Sequence, residues 1–403
     1  MSNQLATCSI IAKESLAILD NMLSFSASAN RDWEDEFKSN LARGYAPGQT
    51  INIKKPPRYV YRAGRVAVPQ ATVETTIPLT VNQGGCDLNF NGLERTLSLT
   101  QLEKKITAAM APVANEIDRQ GLALAAASTW NVVGTPGAPP TTQAQALAAI
   151  MAVNQRLDEM SAPRDGRRSL IMGPALNASL VIGMAGMFNS QKTLDKQFDR
   201  GVMVDSLGLA YAMDQNVSTI TNGSQPVTGT NIAGAGQTGN AINIVATTGT
   251  INVGDKITLP GVYAVNTQTR QSTGSLAQFT VTANVAVGAT VLPINPALIT
   301  LGAFQNVSNS PTTGLPYTIF GLASGAYTMN IGFHEDAFTL AMVPMWAPPS
   351  GKGVIDVATQ SYKGMSIKAT EFYDGINDNS VIRLDVLFGW AATYPELSVG
   401  YAT

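Results

Sequence analysis

The sequence predicts an α+β protein organised on one long helix, with a small β-barrel inserted into a loop. Four observations carry this prediction. Thr100–Ala127 sets Leu99, Leu102, Ile106, Ala109, Val113, Ile117 and Leu124 at alternating three- and four-residue steps, which is one face of a helix. Asn243–Phe279 and its flanks alternate apolar with polar residues (Ile242, Ile244; Ile251, Val253; Ile257, Leu259) and are punctuated by Thr248-Gly249 and Val253-Gly254-Asp255 turns. Soft segments rich in small residues, Ser218–Gly239 and Ser308–Gly314, border that block, as expected of a module set into a tolerant loop. Finally, Tyr45–Asp87 is extended and broken by Pro and Gly, with Ile51 and Ile53 on one predicted strand and Val66, Val68, Val73, Ile77, Leu79 and Val81 on the other.

Composition narrows the function. A chain of 403 residues is long enough for two or three domains. A net charge of −2 with only 13% charged residues argues against a strongly basic nucleic-acid binder. Hydrophobic residues make up 45% but aromatics only 7%, so the surface is rich in small residues and poor in charge. Such a surface resists association weakly, which predicts burial of much of it between subunits. Cys8 and Cys86 belong to no pairing motif and suit a reducing cytosol. The start, MSNQLATCS, lacks a basic region and a signal-length apolar run, and no window of about 18 apolar residues predicts a membrane span.

The remaining elements follow in order. Ser9–Ser24 is predicted helical, with Leu16, Leu19 and Leu23 on one face, widened by Ile11, Ile18 and Met22. Docking on the protein's own core is the default for such a helix, and an arm reaching a neighbour is the alternative. Arg31–Phe37 clusters acids around Trp33, by default a solvated face. The hairpin tip carries Lys54, Lys55, Arg58, Arg62 and Arg65 within twelve residues, interleaved with Tyr59 and Tyr61 and without an acid. Thr100 and Glu103 form a capping box for the long helix, and Pro112 in its interior predicts a kink. Gly134–Thr142 is a linker, Gln143–Met160 a second helix, Ser169–Met172 a strand running into a third helix, and Gln191–Arg200 a charged surface segment.

Three motifs resemble one protein family. TTGTINVGDKITLPGV (residues 247–262) is similar to the start of the inserted barrel in the coat proteins of short-tailed Salmonella phages and their relatives. NIGFHEDAFTLAMVP (330–344) resembles the family's strand around F-H-x-D-A-F, and SVIRLDVLFGWAATYPELSV (380–399) its final peripheral strand pair, R-L-D-x-L-x-G before P-E-L. Together with the hairpin and the long helix, the resemblance covers nearly the whole chain in the expected order. It implies the common tailed-phage capsid fold (HK-ninety-seven-like). The implied layout is an N-terminal arm (1–30), extended loop and peripheral strand (31–98), spine helix (99–130), axial domain (131–215 and 313–345), inserted barrel (216–312) and peripheral C-terminal strands (346–403).

The resemblance further implies a major capsid protein that assembles as hexamers and pentamers into an icosahedral shell around double-stranded DNA. The implied partners are copies of itself, a scaffolding protein, a portal protein at one vertex, DNA contacted non-specifically and, in some relatives, decoration proteins, with no membrane and no cofactor. Assembly in the host cytoplasm and residence in the virion capsid follow from the same resemblance. In that fold the basic tip lies across an adjacent subunit. Two acidic stretches are candidates to face it there: Asp32, Glu34, Asp35 and Glu36, or Glu371, Asp374 and Asp378. One departure stands out. The family's insert carries a charged loop at twofold contacts, whereas Gln225–Gly239 here has no charge, so contacts through it should depend little on salt.

Enzyme chemistry finds little support. His334 is the only histidine; beside Glu335 and Asp336 it lacks the several spaced ligands of a zinc or iron site and reads as a strand-end residue. Gly234–Gly239 (GAGQTG) matches G-x-G-x-x-G, but a strand rather than a helix is predicted to follow, so it reads as a loop. No G-K-[ST] occurs. The expectation is a shell subunit and not an enzyme; the alternative is another β-rich phage or surface structural protein of tail, decoration or adhesin type.

Overall fold

The structure is a computed structural model and describes residues 8–31, 50–55, 57–67, 69–72, 75–91, 102–184, 206–348, 354–375 and 379–403. Its helices are α1 (Cys8–Met22), α2 (Phe25–Ser28), α3 (Leu102–Ser128), α4 (Gln143–Glu159) and α5 (Pro174–Met184). Its strands begin with β1 (Thr50–Lys55), β2 (Thr75–Thr80), β3 (Asn82–Asn91), β4 (Val132–Gly134), β5 (Arg168–Met172), β6 (Ala210–Met213) and β7 (Thr219–Thr221). There follow β8 (Thr228–Asn231), β9 (Gly239–Asn243), β10 (Lys256–Val265), β11 (Ser272–Val281), β12 (Val291–Leu298) and β13 (Pro316–Ile319). The last are β14 (Ala326–His334), β15 (Phe338–Met342), β16 (Asp356–Tyr362), β17 (Met365–Asp374), β18 (Asn379–Ala392) and β19 (Ser398–Ala402). The chain forms two compact units, one drawn from Met1–Ile53, Thr76–Gly121 and Phe338–Ala391, the other from Lys54–Thr75, Leu122–Ala337 and Ala392–Thr403.

In the first unit, β18 is central, with β15, β17 and β3 as neighbours and β16 beyond β17. Its alternation buries Ile382, Leu384, Val386 and Phe388 on one face, the period-2 pattern of a half-covered strand. α1 and the first part of α3 cover that face: Ile11, Leu16 and Leu19 meet Ile106, Val113 and Ile117 in one core with the strand residues. The N-terminal helix therefore docks on its own chain. Pro112 lies within an unbroken helix, and it and Ala108, whose carbonyl loses its donor there, face solvent, so water can take that carbonyl. The proposed capping residues Thr100 and Glu103 are outside the described backbone and side chains respectively. β1 and β2 pair with each other, and Ile51, Ile53, Leu79 and Val81 pack with Ala341 and Ala391. The described residues between them carry no strand pairing, so the expected hairpin is paired only near its base.

The second unit holds two sheets. One has the order β4-β19-β14-β5-β6, with β7 added at the start of β14, and packs α4 and α5 through Ile150, Val153, Leu157, Leu176 and Leu180. The other has the order β8-β13-β10-β11-β12-β9. A bridge at Ile232–Ile244, with Val245 N donating to Asn231 O at 2.7 Å, joins its two end strands, so this sheet closes on itself. Ile257, Leu259, Phe279, Leu292, Ile294, Tyr317 and Ile319 fill its interior. Its last strand is β13, beyond residue 312, while β7, after residue 216, belongs to the first sheet.

Two strand expectations need correction. Residues 330–344 are not one strand: a 3-10 turn at Glu335–Ala337 separates β14 from β15, which enter different sheets. Nor do residues 380–399 form a strand pair. β19 lies between β4 and β14, away from β18. All five of its residues are buried, and a strand with no exposed face needs a central position.

Candidate subunit-contact site

The tip of the extended segment is placed by charge and aromatic contacts. Arg58 Nη2 donates to Glu396 Oε1 at 2.7 Å, with the side chains 33% and 16% exposed, and its guanidinium lies 5.8 Å from the Phe304 ring. Lys55 Nζ stands 5.4 Å from the Tyr394 ring. These favourable cation–ring contacts and the ion pair place the start of the tip on the turn before β19. Glu396 comes from the P-E-L motif; nothing local in the sequence marks it as the partner of a residue 338 positions away.

Beyond Arg58 the tip faces outward. Tyr61 is 91% and Val66 79% exposed. Arg62 donates to the carbonyls of Gly64 and Val66, closing a turn in which Gly64 adopts a φ of 93°, a region costly for other residues. Tyr59 is bonded to Thr72 at 3.0 Å, and Gln70 pairs with both backbone groups of Val60 at 2.8 and 2.7 Å. Lys54 and Arg65 are exposed. The outer tip thus presents aromatic and apolar side chains among arginines, a composition enriched at protein interfaces.

The acidic candidates are placed differently from one another. Glu371 is 3% exposed and accepts from Ser380 Oγ at 2.7 Å within the sheet. Asp374 is half-buried at the end of β17. Asp378 and Asp32, Glu34, Asp35 and Glu36 lie outside the described residues.

The enzyme-like motifs resolve into structure. His334 is 2% exposed; Nε2 sits 3.1 Å from Asp165 Oδ1 and Nδ1 3.4 Å from Asp336 Oδ2. Among the described residues no group of three or more His, Cys, Asp or Glu is placed to hold a metal. The GAGQTG loop joins two strands, and Gln237 closes it through Ala233 O and Asn243 N, both at 2.6 Å. Cys8 is buried and its thiol is pushed up to about 12 by burial and by Asp356 and Glu371, which leaves it unreactive. Among the described residues no helix is long and apolar enough to cross a membrane.

A model of the P22 coat protein (gene protein 5) family matches residues 80–402, well over half of the chain. The chain belongs to the P22 coat protein family. As a member of that family it is a major capsid protein of a tailed phage, a structural protein and not an enzyme. Self-association and residence in the virion capsid follow from membership at the same level. No curated protein matches the chain. Solved structures similar to it include one from Mycobacterium phage Che8, at 12% identity and a TM-score of 0.47, covering 94% of this chain and 90% of that one. A capsid chain of Ralstonia phage GP4 is 8% identical with a TM-score of 0.42, covering 88% and 83%. A virus-like particle from Pyrococcus furiosus is 10% identical with a TM-score of 0.38, covering 97% of both chains.

Proposed function

We propose that this coat protein assembles as hexamers and pentamers into an icosahedral shell, on a scaffolding protein and around a portal, in the host cytoplasm, and that the shell then holds DNA without sequence-specific contact. The observation that carries this reading is the family match across residues 80–402. The outward tip supports it. Tyr61 and Val66, exposed beside Arg62 and Arg65, form a surface suited to an adjacent subunit, and that neighbour's acidic residues are the partners we assign to the arginines. The closed six-stranded sheet is read as an inserted β-barrel domain, and Pro112 as the point where the spine helix changes bend when the shell expands.

Electron microscopy of the purified protein, alone and with its scaffold, tests the assembly reading. Closed icosahedral particles are expected; fibres or discrete small oligomers would overturn it.

A further inference from the structure

The last carbonyls of an α-helix have no partner inside it and need one when buried. At the end of α4 the following residues close three of them: Met160 N bonds to Arg156 O at 3.2 Å, Ala162 N to Leu157 O at 2.9 Å and Ser161 N to Asp158 O at 2.9 Å. The fourth, Glu159 O, accepts from Asn266 Nδ2 of the closed sheet's β10–β11 turn at 2.8 Å. At the end of α3 the closed sheet does more. Ala125 O takes Thr129 N at 2.9 Å. Ala126 O takes Lys256 Nζ at 2.9 Å and Ala127 O takes Thr280 Oγ1 at 3.3 Å.

Lys256 and Thr280 are register partners across β10 and β11, and Lys256 Nζ also donates to Thr280 Oγ1 at 2.9 Å. Two residues along the same strand, Gln278 imitates a strand neighbour: its Oε1 accepts from Val132 N at 2.6 Å and its Nε2 donates to Val132 O at 2.9 Å. Lys256 is fully buried. The nearby carboxylate, Asp255, is held by the amides of Gly223 and Asn252 at 3.1 and 2.9 Å. The Lys256 amine instead donates to Ala126 O, at the negative end of the helix dipole. A methionine would fill the same space at a lower desolvation cost, so packing alone does not call for a charge here. What the lysine amine adds is a directed bond to one helix-end carbonyl.

We infer that Lys256 is a positioning residue that couples the last turn of α3 to the closed sheet, so that loosening either one unseats the other. Coupling of this kind is reciprocal. The inference concerns the subunit's interior and goes beyond the assembly reading without depending on it.

Hydrogen exchange on the full-length chain tests it, with Lys256→Met, Ala126→Gly and the double variant beside the parent. In Lys256→Met, peptides covering Leu122–Gly134 should exchange about tenfold faster, while β8 and β9, opposite β10 and β11 in the closed sheet, keep their protection. Ala126→Gly should in turn speed exchange in β10 and β11, and that effect should vanish in the double variant. Unchanged exchange at the helix end overturns the inference. So does a uniform loosening of the whole closed sheet, which would make Lys256 an ordinary core residue. Should Lys256→Met fail to fold, Thr280→Val decides in its place: it keeps the shape, removes the bond to Ala127, and must loosen the helix end selectively or the inference is lost.

Discussion

Trp390 donates its indole Nε1–H to the carbonyl oxygen of Ile117 at 3.0 Å, in the middle of α3. The ring can come this close because residue 121 is glycine: a Cβ there would sit 2.6 Å from the indole and 2.8 Å from the Phe25 ring. Phe25 and Trp390 are themselves in contact, centroids 5.0 Å apart. One notch in the helix thereby joins the N-terminal segment, α3 and β18.

Gly121→Ala should therefore destabilise the subunit, although alanine ordinarily favours a helix interior over glycine by about 1 kcal/mol. Overpacking against two rings costs about 1–3 kcal/mol and should win. Urea unfolding of the unassembled chain, followed by circular dichroism, measures the balance. A more stable variant would mean that the rings move aside freely.

One carboxylate anchors the turn between α1 and α2. Asp118, 2% exposed, accepts from Ser24 N at 2.8 Å, from Ser26 N at 3.0 Å and from the Ser26 hydroxyl. Asp118→Ala leaves these donors unsatisfied and should cost about 1–3 kcal/mol. Limited proteolysis should then cut first near residues 23–29, and equal resistance in parent and variant would refute the anchoring role.

Lys256 gives stability a pH dependence of definite sign. Burial lowers its amine from 10.5 to about 7, with Asp255 opposing the shift. Between these values the unfolded chain binds the proton more than the folded one, so stability should rise with pH from about 7 towards 10.5. Cys8, whose thiol is raised from 9.0 to about 12, acts oppositely above pH 9. The lysine's share is thus the difference between parent and Lys256→Met melting temperatures from pH 6 to 9. Parallel profiles would show that Lys256 titrates normally.

The proposed inserted barrel is testable by truncation. β13 pairs with both β8 and β10, so a fragment ending at Pro311 lacks a strand of the closed sheet. Residues 222–321 expressed alone should give a dispersed β-type NMR spectrum, and residues 222–311 should not. Equal dispersion in both would show that β13 is dispensable to the closed sheet.

The tip arginines should separate into two roles. Arg58→Glu should free the start of the tip by breaking its pair with Glu396, at a cost of about 0.2–1 kcal/mol, and the exchange Arg58→Glu with Glu396→Arg should restore it. Arg62→Glu with Arg65→Glu should leave the monomer's melting temperature nearly unchanged while impairing assembly, as read by sedimentation. Normal assembly of that variant at low and high salt would assign the contact to Tyr61 and Val66.

Local order in the chain was legible wherever one face of an element is buried. The three-and-four spacing of Ile106, Ala109, Val113 and Ile117 determined the buried face of α3, and the alternation of Leu384, Val386 and Phe388 determined that of β18. Both patterns repeat over a few residues, so the sequence alone carries them. The motifs quoted from residues 247–262, 330–344 and 380–399 likewise pointed to the coat-protein family that the match over 80–402 established. Destinations were another matter. Only the tertiary structure decided that β18 and β19 enter different sheets, that Arg58 meets Glu396, and that Lys256, just after the Val253-Gly254-Asp255 turn, is buried against Ala126. The reason is physical: periodicity says which side of an element avoids water, but the partner on that side comes from distant parts of the chain. A strand edge, a cation and a helix-end carbonyl are each satisfied by whichever complementary group the fold brings within about 3 Å.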